Sequence, residues 1–163
     1  MTRKSGLARR SLHTPVGTLR VTADDIGVIS IDRVKQPVTS TGSARADRHA
    51  QTAVRQLREY FAGKRRRFDV ALHLDGTTFQ QRAWQAMCGI PYGATISYAQ
   101  QAKRIGKPRA TRAVGTANGA NPVPIIVPCH RVIASDGSLG GYALGLSMKR
   151  RLLALENATS AAG

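Results

Sequence analysis

The sequence predicts a mixed α/β (α+β) chain of two domains. A small antiparallel sheet with one helix covers residues 1–76, and a mostly helical unit built around a helix-turn-helix covers 77–163. Three observations carry this reading. Short alternating apolar stretches separated by turn residues fill the first half. Capping boxes and glycine stops mark short helices in the second. Between Asp75 and Asp136 there is no acidic residue, while Arg82, Lys103, Arg104, Lys107, Arg109, Arg112 and Arg131 remain.

In chain order, residues 11–34 read as a hairpin or meander. Leu19 and Val21 alternate with polar neighbours, Asp24-Asp25-Ile26-Gly27 turns, and Val28 to Ile31 is apolar and β-branched. A loop over 36–45 leads to a helix over 46–62, with Ala50, Val54, Leu57 and Phe61 on one face and Gly63 as its stop. Phe68, Val70, Leu72 and Leu74 alternate strictly, which predicts a strand with one buried face. Thr78 to Gln81 has capping-box spacing and opens a helix burying Phe79, Ala83, Trp84 and Met87, with Cys88 beside them as a small buried hydrophobe. Ser97 to Gln100 is a second capping box. Gly106 stops that helix, and Lys107-Pro108 restarts one carrying Ala110, Ala113, Val114 and Ala117. Ile125 to Val127 reads as a short buried strand, and a last helix covers about 147–156.

The chain of 163 residues is long enough for one domain or two small ones, and 42% hydrophobic content excludes wholesale disorder. Its formal charge of +16 points to a polyanionic partner. No apolar run has transmembrane length, and no stretch resembles a signal peptide. Arg3-Lys4 and Arg9-Arg10 read as a flexible basic arm, with a very short transit peptide as the alternative. Two cysteines, Cys88 and Cys129, make no disulfide framework, so reduced thiols in a cytoplasm are the default. No metal site and no cofactor are expected, because the four histidines are scattered and lack zinc spacing. His13, His49 and His73 read as surface or strand residues.

Chemistry concentrates at Pro128-Cys129-His130-Arg131-Val132. A cysteine beside histidine and arginine is a candidate activated thiol. Glu156 sits at the edge of an apolar helix face, where a carboxylate is costly unless partnered. It is either the orienting partner of His130 or a solvated helix end. The two short helices joined by Gly-Lys-Pro form a helix-turn-helix candidate. The second consists almost wholly of small residues, with Arg109 and Arg112 projecting. Such a helix packs closely on a protein neighbour or on a nucleic-acid groove, and the acid-free surroundings favour the groove.

Pro-Cys-His-Arg-Val, the upstream Asn-Pro-Val-Pro-Ile-Ile-Val, Arg-Ala-Val-Gly at 112–115, the Ile-Pro-Tyr-Gly and Ser-Tyr segments, and Tyr142 before a glycine-containing loop together resemble the O6-alkylguanine-DNA alkyltransferases, bacterial type. The likeness runs nearly continuously from 79 to 156. It implies an RNase H-like first domain and a winged-helix-like second domain. It also implies single-turnover repair of double-stranded DNA by a cytoplasmic, nucleoid-associated monomer. An O6-alkylated guanine is flipped out, and Cys129 takes its alkyl group irreversibly. The family pattern makes His130 the base acting through a water, oriented by Glu156. Asn121 supports the active-site turn and relay, and Tyr98 donates to the guanine. Arg112 fills the space of the flipped base. Ala110, Thr111, Ala113, Gly115, Lys107 and Arg109 belong to the DNA-binding element. Pro124, Val132, Tyr142, Ala143, Leu144 and Asn118 form the substrate pocket.

One departure stands out. After Tyr142-Ala143 the family commonly has two glycines, and here Leu144 replaces the first. Methyl should be accepted well and benzyl poorly. The cysteines of the zinc site in the animal members' first domain are missing here. Two further readings compete: a non-catalytic helix-turn-helix protein that binds alkylated DNA, and a thiol hydrolase with turnover. Cys129 argues against the first and the acid-free helices against the second.

Overall fold

The computed structural model describes residues 6–162, with side chains through Asn157. It divides into two compact units, Met1–Asp75 and Gly76–Gly163. In the first, β1 (Ala8–Thr14), β2 (Gly17–Ala23) and β3 (Val28–Arg33) form an antiparallel sheet in the order β1-β2-β3. A tight turn sets the first register, with Thr14 facing Gly17 and Leu12 facing Leu19. Gly17 (φ 116°) supplies the left-handed conformation that this turn requires. α1 (Ala44–Phe61) is capped by the Ser43 hydroxyl and packs Ala46, Ala50, Ala53, Leu57 and Tyr60 against the sheet. This is the predicted sheet with one helix.

Two expectations for this unit need correction. Arg9 and Arg10 are not an arm; they lie in β1, where Arg10 pairs with Asp47 at 2.8 Å. Arg3 and Lys4 fall outside the described residues. Residues 68–74 do not form a strand. The alternating residues are half-buried, but only Leu72 bridges to the sheet, through Val28. A single bridge does not extend into a ladder, whatever the alternation.

The second unit is mostly helical: α2 (Thr78–Cys88), α3 (Tyr98–Arg104), α4 (Thr111–Gly119) and α5 (Leu146–Ala162). Two short parallel strands, β4 (Ile96–Ser97) and β5 (Val132–Ile133), tie the chain entering α3 to the chain leaving the cysteine motif. Thr77, not Thr78, caps α2, with Gln80 completing the box, while the Ser97/Gln100 box opens α3 as predicted. Gly106 (φ 76°) turns the chain, and α4 starts only at Thr111 with no side-chain cap. Lys107 and Arg109 therefore lie in the loop before α4, and Ala110 is its N-cap residue. Cys88 is exposed, contrary to the sequence reading. It lies about 100° around the helix from the buried Met87, at the last turn.

Candidate active site

Cys129 is delivered by a buried turn, not by the short strand predicted for 125–127. Pro124 bridges to Val127, and the Val127 amide donates to the Val123 carbonyl at 3.0 Å. Ile125 takes φ 76°, a left-handed conformation that is costly for a β-branched residue. Asn121 holds the turn at both ends. Its Nδ2 donates to the Val127 carbonyl at 2.8 Å, and its Oδ1 accepts the Val123 amide at 3.0 Å. A 3₁₀ turn over Cys129–Arg131 follows, with all three side chains buried.

The next two residues of that turn converge on one carboxylate. His130 Nε2 donates to Glu156 Oε2 at 2.6 Å. Arg131 donates from Nε to Oε1 at 2.8 Å and from Nη2 to Oε2 at 3.0 Å, and its Nη1 donates to the Ile90 carbonyl at 2.8 Å. The Gly93 amide also donates to Oε1. Burial works to raise the Glu156 carboxyl, but hydrogen bonds from His130 and Arg131 outweigh it and hold the group at about 2. An ionised carboxylate accepts only, so the His130 proton sits on Nε2. Nδ1, buried and without a protein hydrogen-bond partner, keeps its lone pair. Burial lowers the His130 pKa more than Glu156 raises it, so the imidazole is neutral at pH 7.

The thiol itself is buried. Desolvation pushes the Cys129 pKa up, opposed by the Asn121 side chain and the charge of Lys149. Lys149 is wholly buried on α5. Its Nζ donates to the carbonyls of Val132 (2.7 Å), Gly141 (3.0 Å) and Leu139, and it lies 5.8 Å from the centre of the Tyr98 ring. Burial lowers its pKa to about 8. Lys149 thus fastens the loop carrying Tyr142 and Ala143 to β5. Lys149 was not singled out in the sequence reading, and Arg131, read there as a neighbour of the thiol, instead pairs with Glu156. For Lys149 a signal existed: positions 149, 152 and 156 share a helix face.

A cleft of about 590 Å³ opens over Cys129. Tyr98, Arg112, Gly115, Asn118, Tyr142 and Ala143 are among its walls, with Thr111 at the start of α4. Gly140 (φ 70°) lies so close to Tyr98 that an added Cβ would sit 2.6 Å from the hydroxyl. Asn118 is also paired internally, exchanging hydrogen bonds of 2.7 and 2.9 Å with Gln101. Three predicted pocket residues are not among the walls. Pro124 is enclosed in the strained turn, Val132 is fully buried in β5 with its carbonyl bonded to Lys149, and Leu144 is half-buried outside the lining.

The exposed face of α4 presents Thr111, Arg112, Ala113 and Thr116, while Val114, Ala117 and Asn118 face the core. Arg112 also borders a second depression formed with Thr77, Phe79 and Gln80 at the start of α2. A small-residue helix bearing one arginine in its first turn stands beside a buried cysteine thiol, in a basic unit. Fold and site together define a thiol-based group-transfer protein that acts on DNA.

The comparisons with known proteins agree. Residues 78–158 match the family described as "6-O-methylguanine DNA methyltransferase, DNA binding domain", and residues 7–74 match its "ribonuclease-like domain". The chain belongs to the 6-O-methylguanine DNA methyltransferase family, as the resemblance implied. It is 46% identical over 156 residues to the methylated-DNA–protein-cysteine methyltransferase of Mycolicibacterium paratuberculosis, covering 94% of each chain. With that of Methanosarcina barkeri it shares 45% over 151 residues, covering 89% of this chain and 94% of the other. The Mycobacterium tuberculosis O6-methylguanine methyltransferase superposes with a TM-score of 0.82 at 41% identity, covering 94% of both chains. The same organism's OGT in complex with DNA gives 0.82 at 44%, covering 93% of both. The expected fold, a ribonuclease-like domain followed by a DNA-binding domain, is borne out.

Proposed function

We propose that Cys129 is the acceptor of an alkyl group taken directly from O6-alkylguanine in duplex DNA, once per molecule. The observation that carries this is the ordered contact Glu156–His130, with an unprotonated Nδ1 on the residue that follows a buried thiol in the chain. The Cys129 proton passes through a water to His130 Nδ1 as the sulfur attacks the alkyl carbon. The carbon–O6 bond breaks, and its electron pair goes to the guanine, which ends protonated and restored. The product S-alkylcysteine is a thioether with no easy hydrolytic exit, so the chain does not turn over.

Each remaining residue has a part in this reading. Tyr98 donates to the guanine as charge develops on it. Arg112 enters the duplex in place of the flipped base. Thr111, Ala113 and Gly115 let α4 approach the groove, with Ala110 at its uncapped start; Lys107 and Arg109 meet phosphates from the preceding loop. Tyr142, Ala143 and Asn118 border the base, and Asn121 holds the turn that aims the thiol. Pro124, Val132 and Leu144 act from behind this lining. The functional boundary lies at 76/77, with damage recognition and chemistry both in the second unit. A reduced Cys129 and a charge of +16 suit a cytoplasmic monomer held on the nucleoid.

Intact-mass measurement after incubation with an O6-methylguanine duplex tests the proposal. A stoichiometric gain of one methylene, lost in Cys129→Ala, is expected. An unmodified protein that still binds the duplex refutes the transfer reading, and repeated turnover refutes the single-use mechanism.

A further inference from the structure

Net positive charge is divided equally between the two halves. Residues 1–78 carry 15 basic and 7 acidic groups and the remainder 10 and 2, so each nets +8. The second half has α4 and its preceding loop to account for this charge. The first half has no assigned use for it.

In the first unit α1 carries four arginines, Arg45, Arg48, Arg55 and Arg58, against Asp47 and Glu59. Arg48, Gln51, Arg55 and Arg58 are all exposed, and at 100° per residue they fall within about 80° of arc. The acids of this helix do not neutralise them. Asp47 is bonded by Arg10 at 2.8 Å and Gln51 at 2.7 Å, and Glu59 by Arg65 at 2.7 Å. Both carboxylates are thus held by arginines from outside the helix. Among the described residues Arg48, Arg55 and Arg58 reach no carboxylate. Arg55 and Arg58, three apart on one face, repel each other, and a bound polyanion offsets that repulsion. Beside the stripe is a cleft of about 370 Å³ on which Arg55 and Arg58 converge with Arg10 from β1, alongside the polar Ser11 and Gln51.

We propose that this arginine face of α1, with the cleft at its side, is a second contact for the phosphate backbone of double-stranded DNA, separate from the site over Cys129. The inference rests on the DNA-acting reading above. Arg48 to Arg58 spans roughly 15 Å of helix, the axial length of about four phosphates on one strand. Guanidinium groups suit phosphate better than any other side chain. Small polar neighbours offer no base-reading pattern, so the contact is independent of sequence.

The test is the salt dependence of binding to an undamaged duplex, followed by fluorescence anisotropy from 50 to 200 mM KCl. For the full-length triple variant R48Q/R55Q/R58Q, the slope of log affinity against log salt should shrink by about two to three, roughly 0.9 per lost phosphate contact. Alkyl transfer from the free O6-methylguanine deoxynucleoside, which needs no backbone contact, should be unchanged. A variant of equal charge, R33Q/K35Q/K64Q, should keep the wild-type slope. The proposal is overturned if the triple variant keeps the wild-type slope, or if the charge-matched variant loses as much. It is also overturned if the triple variant loses affinity for single-stranded RNA or anionic vesicles but not for the duplex. If the triple variant loses nucleoside transfer, the single variants decide, each expected to shrink the slope by about 0.9. A wild-type protein inactive on the nucleoside and on the damaged duplex would instead sink the transfer reading itself.

Discussion

Glu156→Gln separates the two jobs that the geometry gives this carboxylate. It neutralises Arg131, and it fixes the proton of His130 on Nε2. The fall of the carboxyl from 4.5 to about 2 corresponds to roughly 3 kcal/mol of preference for the ionised form in the folded state. Loss of one partner from a buried ion pair typically costs about 3–5 kcal/mol, so a destabilisation of about 3 kcal/mol is expected near neutral pH. A folded value depressed below the unfolded one gives stability that is complete above about 4.5 and is lost as pH falls toward 2. The stability gap between wild type and variant should therefore close across that window. Domains of ordinary stability, about 5–15 kcal/mol, survive such a loss, and chemistry can be measured on folded protein.

The glutamine amide can accept from Nε2 or donate to it. When it donates, the imidazole proton moves to Nδ1 and the base is gone. General-base catalysis is worth about 10²–10⁴ in rate, and a loss of about 10² in single-turnover transfer is expected. The assay is excess protein against an O6-methylguanine duplex, quenched over time, with urea denaturation from pH 2 to 7 alongside. A variant that transfers within a factor of two of wild type, while confirmed folded, would refute the relay. An unchanged stability gap across the acid window would refute the electrostatic assignment.

Other substitutions probe the pocket. Gly140→Ala places a Cβ 2.6 Å from the Tyr98 hydroxyl at a left-handed backbone position; transfer should fall at least tenfold, measured by the same single-turnover assay. Lys149→Met removes two hydrogen bonds to the pocket loop and one to β5, and also the cost of burying a charge. Thermal stability should change little, while limited proteolysis within 139–145 accelerates and transfer slows. Leu144→Gly should raise reaction with O6-benzylguanine relative to methyl, through the freedom given to the loop that carries Ala143. No gain in the benzyl-to-methyl ratio would show that Leu144 has no part in the restriction.

Much of the site was legible because its signals are chemical. A carboxylate at the edge of an apolar helix face demanded a partner, and in the structure His130 and Arg131 both meet Glu156. Capping chemistry marked α2 to within one residue and α3 at Ser97. The misses occur where tertiary contacts overrule local pattern. Ile125-Ile126-Val127 has the composition of a strand, yet Asn121 bonds the Val123 amide before it and the Val127 carbonyl at its end, and the chain between bends into a turn. Residues 68–74 alternate as a strand should, but bridge to the sheet at Leu72 alone, opposite Val28. Lys149 shares a helix face with Leu152 and Glu156, but the carbonyls of Val132, Leu139 and Gly141 that surround its ammonium are not predictable from spacing.

The buried thiol poses the question of how Cys129 becomes a nucleophile. Desolvation raises its pKa above the ordinary 9, so almost no thiolate exists at pH 7. This protects a single-use residue from stray oxidants and alkylators, and it moves activation into the encounter with the lesion. If a pre-formed thiolate were required, the transfer rate would climb about tenfold per pH unit from 6.5 to 8.5. If neutral His130 removes the proton during attack, the rate is level there. It then falls only below the His130 pKa, which burial sets under 6.5. Among the groups shifted around the thiol, Glu156 titrates far below this range, and Tyr98 and Tyr142 are pushed above 10. Lys149, at about 8, titrates inside it. Loss of its charge removes support for negative charge on sulfur, so the profile should bend downward above pH 8. A single-turnover pH series with methylated duplex decides between the two, since a continuous rise through pH 8 belongs to the thiolate mechanism alone.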